Sequence, residues 1–302
     1  MLGIKFYLCD MTIAVYARSA KNDHPIYLEH IYNFFTGENV ELIIHEAYFQ
    51  SLKKEFGFSI NIRTYKDSAE LIKQANYVIS LGGDGTLLET LSLVKDSGIP
   101  VLGVNMGRLG FLASVSKNDL QKALHQLLNE KFTIDKRNLL ELQGCMDYFK
   151  SVNYALNECT IHKQDSSSMI SIDTFIDGVY LNTYFSDGLI VSTPTGSTAY
   201  SLSCGGPIMM PDSDNLILTP IAPHNLTVRP LVISNNKEIS FKVTCRTNHF
   251  NVALDARYSL VPATCEIRLR KAAFCFHLIN LEGQHFFSTL RNKLMWGIDK
   301  RQ

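Results

Sequence analysis

The chain lacks the features that would assign it to several large classes. Its 29 basic and 29 acidic residues cancel, so it has no positive excess to draw nucleic acid or an anionic lipid surface, and neither is an expected partner. No run approaches the roughly 20 apolar residues that cross a bilayer. Residues 1–10 have neither an apolar stretch of signal-peptide length nor a small-residue cleavage site. A soluble, cytoplasmic protein is expected, with residues 1–10 as a loosely attached extension. Seven cysteines (Cys9, Cys145, Cys159, Cys204, Cys245, Cys265 and Cys275) include no C-x-x-C pair and cannot all pair with one another. That speaks against a disulfide framework or a zinc site and for a reducing compartment. His45, His125, His162, His224, His249, His277 and His285 are scattered without metal-ligand spacing, and no residue is assigned to a metal. Internal repeats and low-complexity linkers are absent too. What the chain does have is 302 residues, 46% of them hydrophobic, enough to bury a substantial core in about two domains.

Up to about residue 137, short apolar strands alternate with helical stretches. Residues 12–16, 77–81 and 99–104 read as strands, and 118–130 as an amphipathic helix with Leu120, Ala123, Leu124, Leu127 and Leu128 on one face. Ser116 and Asp119 have the spacing of a capping box, with Asp in place of Glu. Such alternation predicts a parallel, Rossmann-like sheet with crossover helices. Beyond Arg137 the period falls to two. Ile170, Ile172, Thr174 and Ile176 alternate with polar or outward residues, and Asp177-Gly178 offers a hairpin turn into a strand over 179–190. The signal repeats at Ile239, Phe241 and Val243, and at Cys265, Ile267 and Leu269. The expected fold class is an α/β N-terminal domain (1–137) with a mostly antiparallel β C-terminal domain (138–280). A helical segment near Phe286 to Trp296, within 281–302, is expected to return and pack on the first domain.

Chemistry concentrates in Leu81-Gly82-Gly83-Asp84-Gly85-Thr86, between the apolar run Tyr77-Val78-Ile79-Ser80 and a stretch of helical spacing. Three glycines around one carboxylate in a strand-to-helix turn let backbone approach an anion, and they leave Asp84 at the strand's carboxyl end. A phosphate and a proton acceptor could meet there. The spacing is neither G-x-G-x-x-G nor that of a P-loop, so a purely structural turn stays open.

A second constellation, Asp187-Gly188-Leu189-Ile190-Val191-Ser192-Thr193-Pro194-Thr195-Gly196-Ser197-Thr198-Ala199-Tyr200-Ser201-Leu202-Ser203, runs a buried strand into a hydroxyl-rich loop, with a short helix starting near Ser197. Free N–H groups and hydroxyls there suit ribose or phosphate oxygens. The same residues also suit a Ser/Thr-capped turn that satisfies its own backbone. A third element, Asn157-Glu158, pairs a carboxamide that matches an adenine edge with a carboxylate that matches ribose hydroxyls; a solvated turn is the plainer reading.

Together these elements resemble one family, the NAD kinases, over nearly the whole chain from about Thr12 to Trp296. The likeness runs through Gly82-Gly83-Asp84-Gly85-Thr86, Asn105-Met106-Gly107-Arg108-Leu109-Gly110-Phe111-Leu112, Asn157-Glu158, Asp187 to Gly206-Pro207-Ile208, Thr219-Pro220-Ile221-Ala222-Pro223-His224 and Arg229-Pro230-Leu231-Val232-Ile233. The resemblance implies a phosphotransferase that moves the γ-phosphoryl of ATP to the 2′-hydroxyl of the adenosine ribose of NAD, giving NADP. It makes Asp84 the general base, with Asp84 and Gly85 against the ribose. Phe111, Asn157, Glu158, Asp187, Thr198, Ala199, Tyr200, Ser201 and Ser203 would line the dinucleotide, and Gly82, Gly83, Gly85 and Thr86 would hold the ATP phosphates. Family members use a divalent cation such as Mg²⁺, sometimes take polyphosphate, and form homodimers or homotetramers.

Three positions depart from the family pattern. Ser168 and Phe185 stand where relatives place basic or histidine groups, and Asp255-Ala256-Arg257 replaces Asp-Gly-Gln or Asp-Ser-Gln, with Arg257 able to restore a charge. A lipid or sugar kinase on the same turn is the competing enzyme class, though no basic amphipathic helix is visible. A dinucleotide sensor that transfers nothing is the non-enzymatic alternative. The cluster Tyr27, Tyr32, Phe34, Phe35, Tyr48 and Phe49 reads as core packing, His224 as a turn residue, and Cys204 as lacking a thiolate-stabilising neighbour.

Overall fold

Short aliphatic runs bounded by helical stretches build the first part of the molecule. A computed structural model of the chain describes residues 11–107, 110–149, 152–164 and 168–295. It divides into two units, Met1–Asp135 with His277–Gln302, and Lys136–Phe276. In the first unit the order is β1 (Thr12–Tyr16), α1 (His24–Gly37), β2 (Glu41–His45), α2 (Glu46–Phe56), β3 (Arg63–Tyr65), α3 (Ser68–Gln74), β4 (Tyr77–Gly82), α4 (Asp84–Val94), β5 (Val101–Asn105), β6 (Val115–Ser116) and α5 (Leu120–Leu128). The strands pair in parallel in the order β5-β4-β1-β2-β3, with β6 beside β5. The chain steps outward from β1 to β3 and then crosses to β4 on β1's other side. The order therefore reverses between β1 and β4, and in parallel sheets ligands bind at the carboxyl ends of strands at such a reversal. Ile13, Val15, Ile79, Leu81, Leu102 and Val104 are buried with Leu28, Ile31, Phe35, Tyr48, Leu52 and Leu124 in this unit's core.

Leu120, Ala123, Leu124 and Leu127 of α5 are buried, as the helical spacing predicts. The capping box does not form. A 3₁₀ turn, Lys117–Asp119, precedes α5, and the Ser116 hydroxyl donates to the Asp119 carboxylate at 2.6 Å. The short Asp side chain meets the hydroxyl instead of reaching back to the backbone amide.

The second unit contains the rest of β7 (Phe132–Gly144), then β8 (Tyr154–Ala155), β9 (Glu158–Lys163), β10 (Ile170–Ile176), β11 (Val179–Ser186), β12 (Gly188–Ser192), α6 (Tyr200–Ser203), β13 (Asn215–Ile221), β14 (Leu231–Ser234), β15 (Ile239–Thr244), β16 (His249–Leu254), β17 (Arg257–Pro262) and the start of β18 (Ile267–Leu281). One antiparallel layer runs β11-β10-β15-β18, and a second runs β14-β13-β12-β9-β16-β17. Asp177 (φ 49°) and Gly178 (φ 77°) are both left-handed and link β10 to β11, the geometry a tight Asp-Gly hairpin needs.

The expected single strand over 179–190 is two strands. β11 is exposed or half-buried over residues 179–183 and pairs with β10, whereas β12 is buried throughout and lies between β9 and β13. An all-apolar strand needs partners on both sides, and at Gly188 a Cβ would overlap the Ile161 carbonyl. Against the reading of the cysteines, Cys145 and Cys265 form a disulfide; Cys159, Cys204, Cys245 and Cys275 are free thiols, and Cys9 lies outside the described residues. Sequence spacing does not reveal this pair because 120 positions separate the two residues.

The chain then returns to the first unit. Leu278 pairs in parallel with Val101, and Ile279 and Leu281 enter the first core. Gln284 accepts from the Ser114 hydroxyl at 3.0 Å and donates to the Ser114 carbonyl at 3.3 Å. Helix α7 (Phe286–Leu294) follows. Trp296, expected at its end, and residues 1–10 lie outside the described residues.

Candidate active site

Asp84 is the first residue of α4, and its carboxylate is gripped by the backbone. Oδ2 accepts from the Phe111 amide at 2.8 Å, and Oδ1 accepts from those of Leu112 at 3.1 Å and Ala113 at 2.9 Å. A carboxylate offers about four lone-pair positions, so three amides fix its plane and leave room for about one further donor. Gly110 makes this approach possible, because a Cβ there would overlap the Asp84 carboxylate. In the turn itself none of the three glycines has a positive φ. Gly82 is required by the Thr86 side chain, which would meet its Cβ, while Gly83 and Gly85 are exposed with nothing within 4 Å of a Cβ. First-turn amides of a helix have no intrahelical partner, so those of Asp84 and Gly85 suit an anion. The Thr86 amide is spent, since it donates to the Gly83 carbonyl at 3.0 Å. Phe111 is half-buried, with the Lys293 ammonium 5.7 Å from its ring centre. Arg108 and Leu109 lie outside the described residues.

In the second unit, Asn157 and Glu158 form no solvated turn: both are buried, at the start of β9. Asp255 holds them there. Its carboxylate, with 3% of the side chain exposed, accepts from the amides of Leu156 (2.9 Å), Asn157 (2.7 Å) and Glu158 (3.2 Å). Arg257 completes the corner by donating to the carbonyls of Val152, at 2.5 Å, and Tyr154. Burial, and then the charge of Asp255, push the Glu158 carboxyl up to about 8 against a hydrogen bond from the Tyr200 amide, and its Oε2 has no partner. At neutral pH Glu158 is therefore mostly a neutral acid, able to donate as well as accept.

The hydroxyl-rich loop divides in two. Ser192, Thr193, Thr195, Ser197 and Ser201 are buried and satisfy the fold itself. Thr193 Oγ1 donates to Leu156 O at 2.6 Å, Ser192 Oγ to Asn157 O at 3.3 Å, and Ser201 Oγ bonds Thr219 Oγ1 at 2.8 Å. Thr198 and Ala199 are half-buried, Ser203 is exposed, and Tyr200 is 41% exposed, so these are the residues open to a ligand. Instead of one helix from Ser197, the loop makes a 3₁₀ turn, Thr195–Thr198, and then α6. At Gly196 a Cβ would overlap the Asn157 carbonyl, which ties this loop to the Asn157 corner.

Two family models divide the chain between them. Residues 27–132 match the ATP-NAD kinase N-terminal domain and residues 156–281 the ATP-NAD kinase C-terminal domain. An NAD kinase of Flavobacterium johnsoniae is 43% identical over 293 residues, covering 96% of this chain and 100% of that protein, and one of Bacteroides fragilis is 38% identical over 291 residues with the same coverage. The chain belongs to the NAD kinase family. It is an enzyme, a kinase that forms NADP from NAD. Solved structures share the fold: a yeast NADH kinase complexed with NADH (TM-score 0.83, 22% identity, 96% of this chain and 89% of that one) and an Archaeoglobus fulgidus NAD kinase in complex with ATP (TM-score 0.75, 24% identity, 94% and 99%).

Against the NAD kinase pattern, Ser168 and Phe185 fall together. With Met169, Thr244, Cys245 and Arg246 they line a groove of about 530 Å³. The sequence reading missed Arg246, which puts a cation where two basic positions are absent. Arg257 does not supply that charge, because its guanidinium is committed to Val152 and Tyr154. Asp187 is half-buried and bonds Lys163 at 2.5 Å, a partner its sequence neighbours do not suggest. Cys204 is no activated thiol, since burial raises its pKa. Asp255 was singled out in the sequence only as part of a departing motif, and its role was missed: it depends on a corner 97 to 99 positions away, and no local spacing carries that.

Proposed function

We propose that this NAD kinase transfers the γ-phosphoryl of ATP to the 2′-hydroxyl of the adenosine ribose of NAD, with Asp84 as the general base. The observation that carries the reading is the Asp84 carboxylate held by the Phe111, Leu112 and Ala113 amides beside a glycine turn open to an anion. Phosphoryl transfer needs alignment and charge stabilisation more than covalent participation by the protein. A carboxylate fixed in plane, with one acceptor position left, is placed to orient a hydroxyl and take its proton as the bond to phosphorus forms. Gly82, Gly83 and Gly85 leave the turn's backbone open to ATP phosphates. Thr86 takes part through its hydroxyl.

Asn157, Glu158, Asp187, Thr198, Ala199, Tyr200 and Ser203 would bind NAD, with Phe111 as an apolar wall. Ser201, expected to line the dinucleotide, is buried against the equally buried Thr219 and would support the loop from behind, the neutral Glu158 shares a proton with ribose hydroxyls, and the exposed Tyr200 ring offers a stacking face. Ser168 and Phe185 contribute groove shape, with Arg246 as the cation. A divalent cation, Mg²⁺, neutralises phosphate charge when bound. Among the described residues no group of three or more His, Cys, Asp or Glu side chains is gathered as a metal cage. Mg²⁺ is held largely by substrate phosphates, so the cation would sit on the ATP phosphates while the one open acceptor position of Asp84 is kept for the hydroxyl.

A cytoplasmic homodimer or homotetramer is part of the same reading, and light scattering on the purified protein checks the assembly. No helix among the described residues is long and apolar enough to cross a membrane. The functional test is purified protein with NAD, ATP and Mg²⁺, coupled to an NADP-specific dehydrogenase. NADP formation that requires ATP supports the proposal. Tight NAD binding with no product indicates a sensor, and phosphorylation of a sugar or lipid alone indicates the other kinase class.

A further inference from the structure

One buried polar atom in the first unit has no use in the fold. His24, the first residue of α1, is 1% exposed, and its Nδ1 lies 3.0 Å from the Tyr48 hydroxyl, while Nε2 is buried with no partner. Burial keeps both groups neutral, lowering the pKa of the imidazole and raising that of the phenol. The Tyr48 hydroxyl has no other acceptor among the described residues. It donates to Nδ1, which puts the ring proton on Nε2. A buried N–H donor without an acceptor costs free energy that a ligand oxygen can offset.

The surroundings identify the ligand's chemistry. His24 lines a groove of about 220 Å³ with Arg18, Ser19, Lys21 and residues 81–83, 85 and 86. Tyr48, which takes up Nδ1, is not among the residues that line it, and Nε2 is the ring nitrogen left for a ligand. This groove sits where the strand order reverses between β1 and β4, the crevice in which parallel sheets take ligands. Its walls are the open glycine turn at the start of α4, an 11-residue helix, and two cations. Arg18 spends Nε on Glu89 at 3.0 Å, which leaves its terminal amino groups. Asp23, the nearest acid in sequence, is held by Lys117 at 2.9 Å. A neutral N–H donor, a guanidinium-bearing and an ammonium-bearing residue lining one groove with open helix amides make a site for a dense anion. At roughly 30 Å³ of liquid volume per water, the space suits a short run of phosphates and not a base and ribose as well.

We propose that His24, Arg18 and Lys21 form the wall opposite the glycine turn that grips the polyphosphate chain of the phosphoryl donor. This rests on the kinase reading above and adds binding residues to it. His24 contacts phosphate through Nε2, and Tyr48 is a positioning residue that fixes the tautomer.

The test uses the full-length protein, with KM measured separately for ATP and NAD and with inorganic tripolyphosphate as the competing probe. Arg18→Ala with Lys21→Ala, both exposed positions, is expected to raise the KM for ATP and the tripolyphosphate inhibition constant by about tenfold or more, with the KM for NAD unchanged. His24→Phe should act in the same direction. His24→Gln, which keeps an N–H near the Nε2 position, should stay close to wild type. If His24→Phe does not fold, the Arg18 and Lys21 pair decides. Unchanged ATP and tripolyphosphate constants in an enzyme that still makes NADP would overturn the proposal and leave the kinase reading standing. A rise in the KM for NAD instead would assign the groove to the dinucleotide's pyrophosphate and would also overturn it. Wild-type protein that makes no NADP from ATP would defeat the kinase reading itself.

Discussion

The Asp84 carboxylate and the glycine at position 110 form one device, because the amides that hold the acid can approach only where no Cβ intervenes. Gly110→Ala is expected to leave the melting temperature within a few degrees of wild type. Turnover should fall on the order of 10²-fold, as displacement of a catalytic group by about 1 Å commonly costs; kcat beside a thermal melt checks it. Glu158 gives a second prediction at this scale. Its carboxyl is raised from 4.5 to about 8, so between those values the folded chain holds a proton that the unfolded chain has released. Stability must therefore fall as pH rises through that window and level off above it. Glu158→Gln removes this term, and the variant should gain at least ~1 kcal/mol on wild type between pH 5 and pH 8. Denaturant titrations at both pH values check it, and parallel pH profiles would refute it. The acid at 84 was legible from its glycine-rich turn, which narrows the backbone options. The protonation of Glu158 was not, because burial is a property of the fold and not of an Asn-Glu pair.

Single elements are positioned by residues far away in sequence. The corner before β9 stands on Asp255, just after β16, and on Arg257 at the start of β17. Asp255→Ala leaves three buried amides without an acceptor, each worth about 1–3 kcal/mol. The expected result is a loss of at least ~2 kcal/mol in urea unfolding with a weakened affinity for NAD, and Asp255→Asn, which keeps one acceptor oxygen, should fall between. Unchanged affinity in a folded Asp255→Ala protein would remove the corner from the binding site. Strands with strict alternation, such as β10 and β15, could be read from sequence because half-burial writes itself into a period of two. The break at Asp187 was missed although Asp187-Gly188 repeats the Asp-Gly pair of the hairpin at 177–178, because the strands on either side of it read as one continuous β run. Likewise Ser116 and Asp119 had capping-box spacing, yet the shorter acid bonded the hydroxyl instead.

At the scale of the whole molecule, the chain leaves its first unit after Asp135 and comes back at His277. The return is structural, since Leu278 pairs with Val101 while Ile279 and Leu281 join the first core. A chain that stops at Phe276 should therefore lose the first unit's cooperative unfolding. A fragment of residues 136–276, which has its own core, should keep its β-sheet signal by circular dichroism. Equal stability of the truncated and full-length chains would contradict this. The two-part architecture was visible in the change of hydrophobic period near Arg137, while the Cys145 to Cys265 bridge and the Arg18, Lys21 and His24 groove arise only when distant segments meet. The central claim is that Asp84 takes the proton from the acceptor hydroxyl, and the most direct measurement is turnover of Asp84→Asn beside its calorimetric affinity for NAD. The account predicts a fall in turnover of roughly 10² or more with NAD affinity nearly unchanged; near-normal turnover in that variant would contradict it.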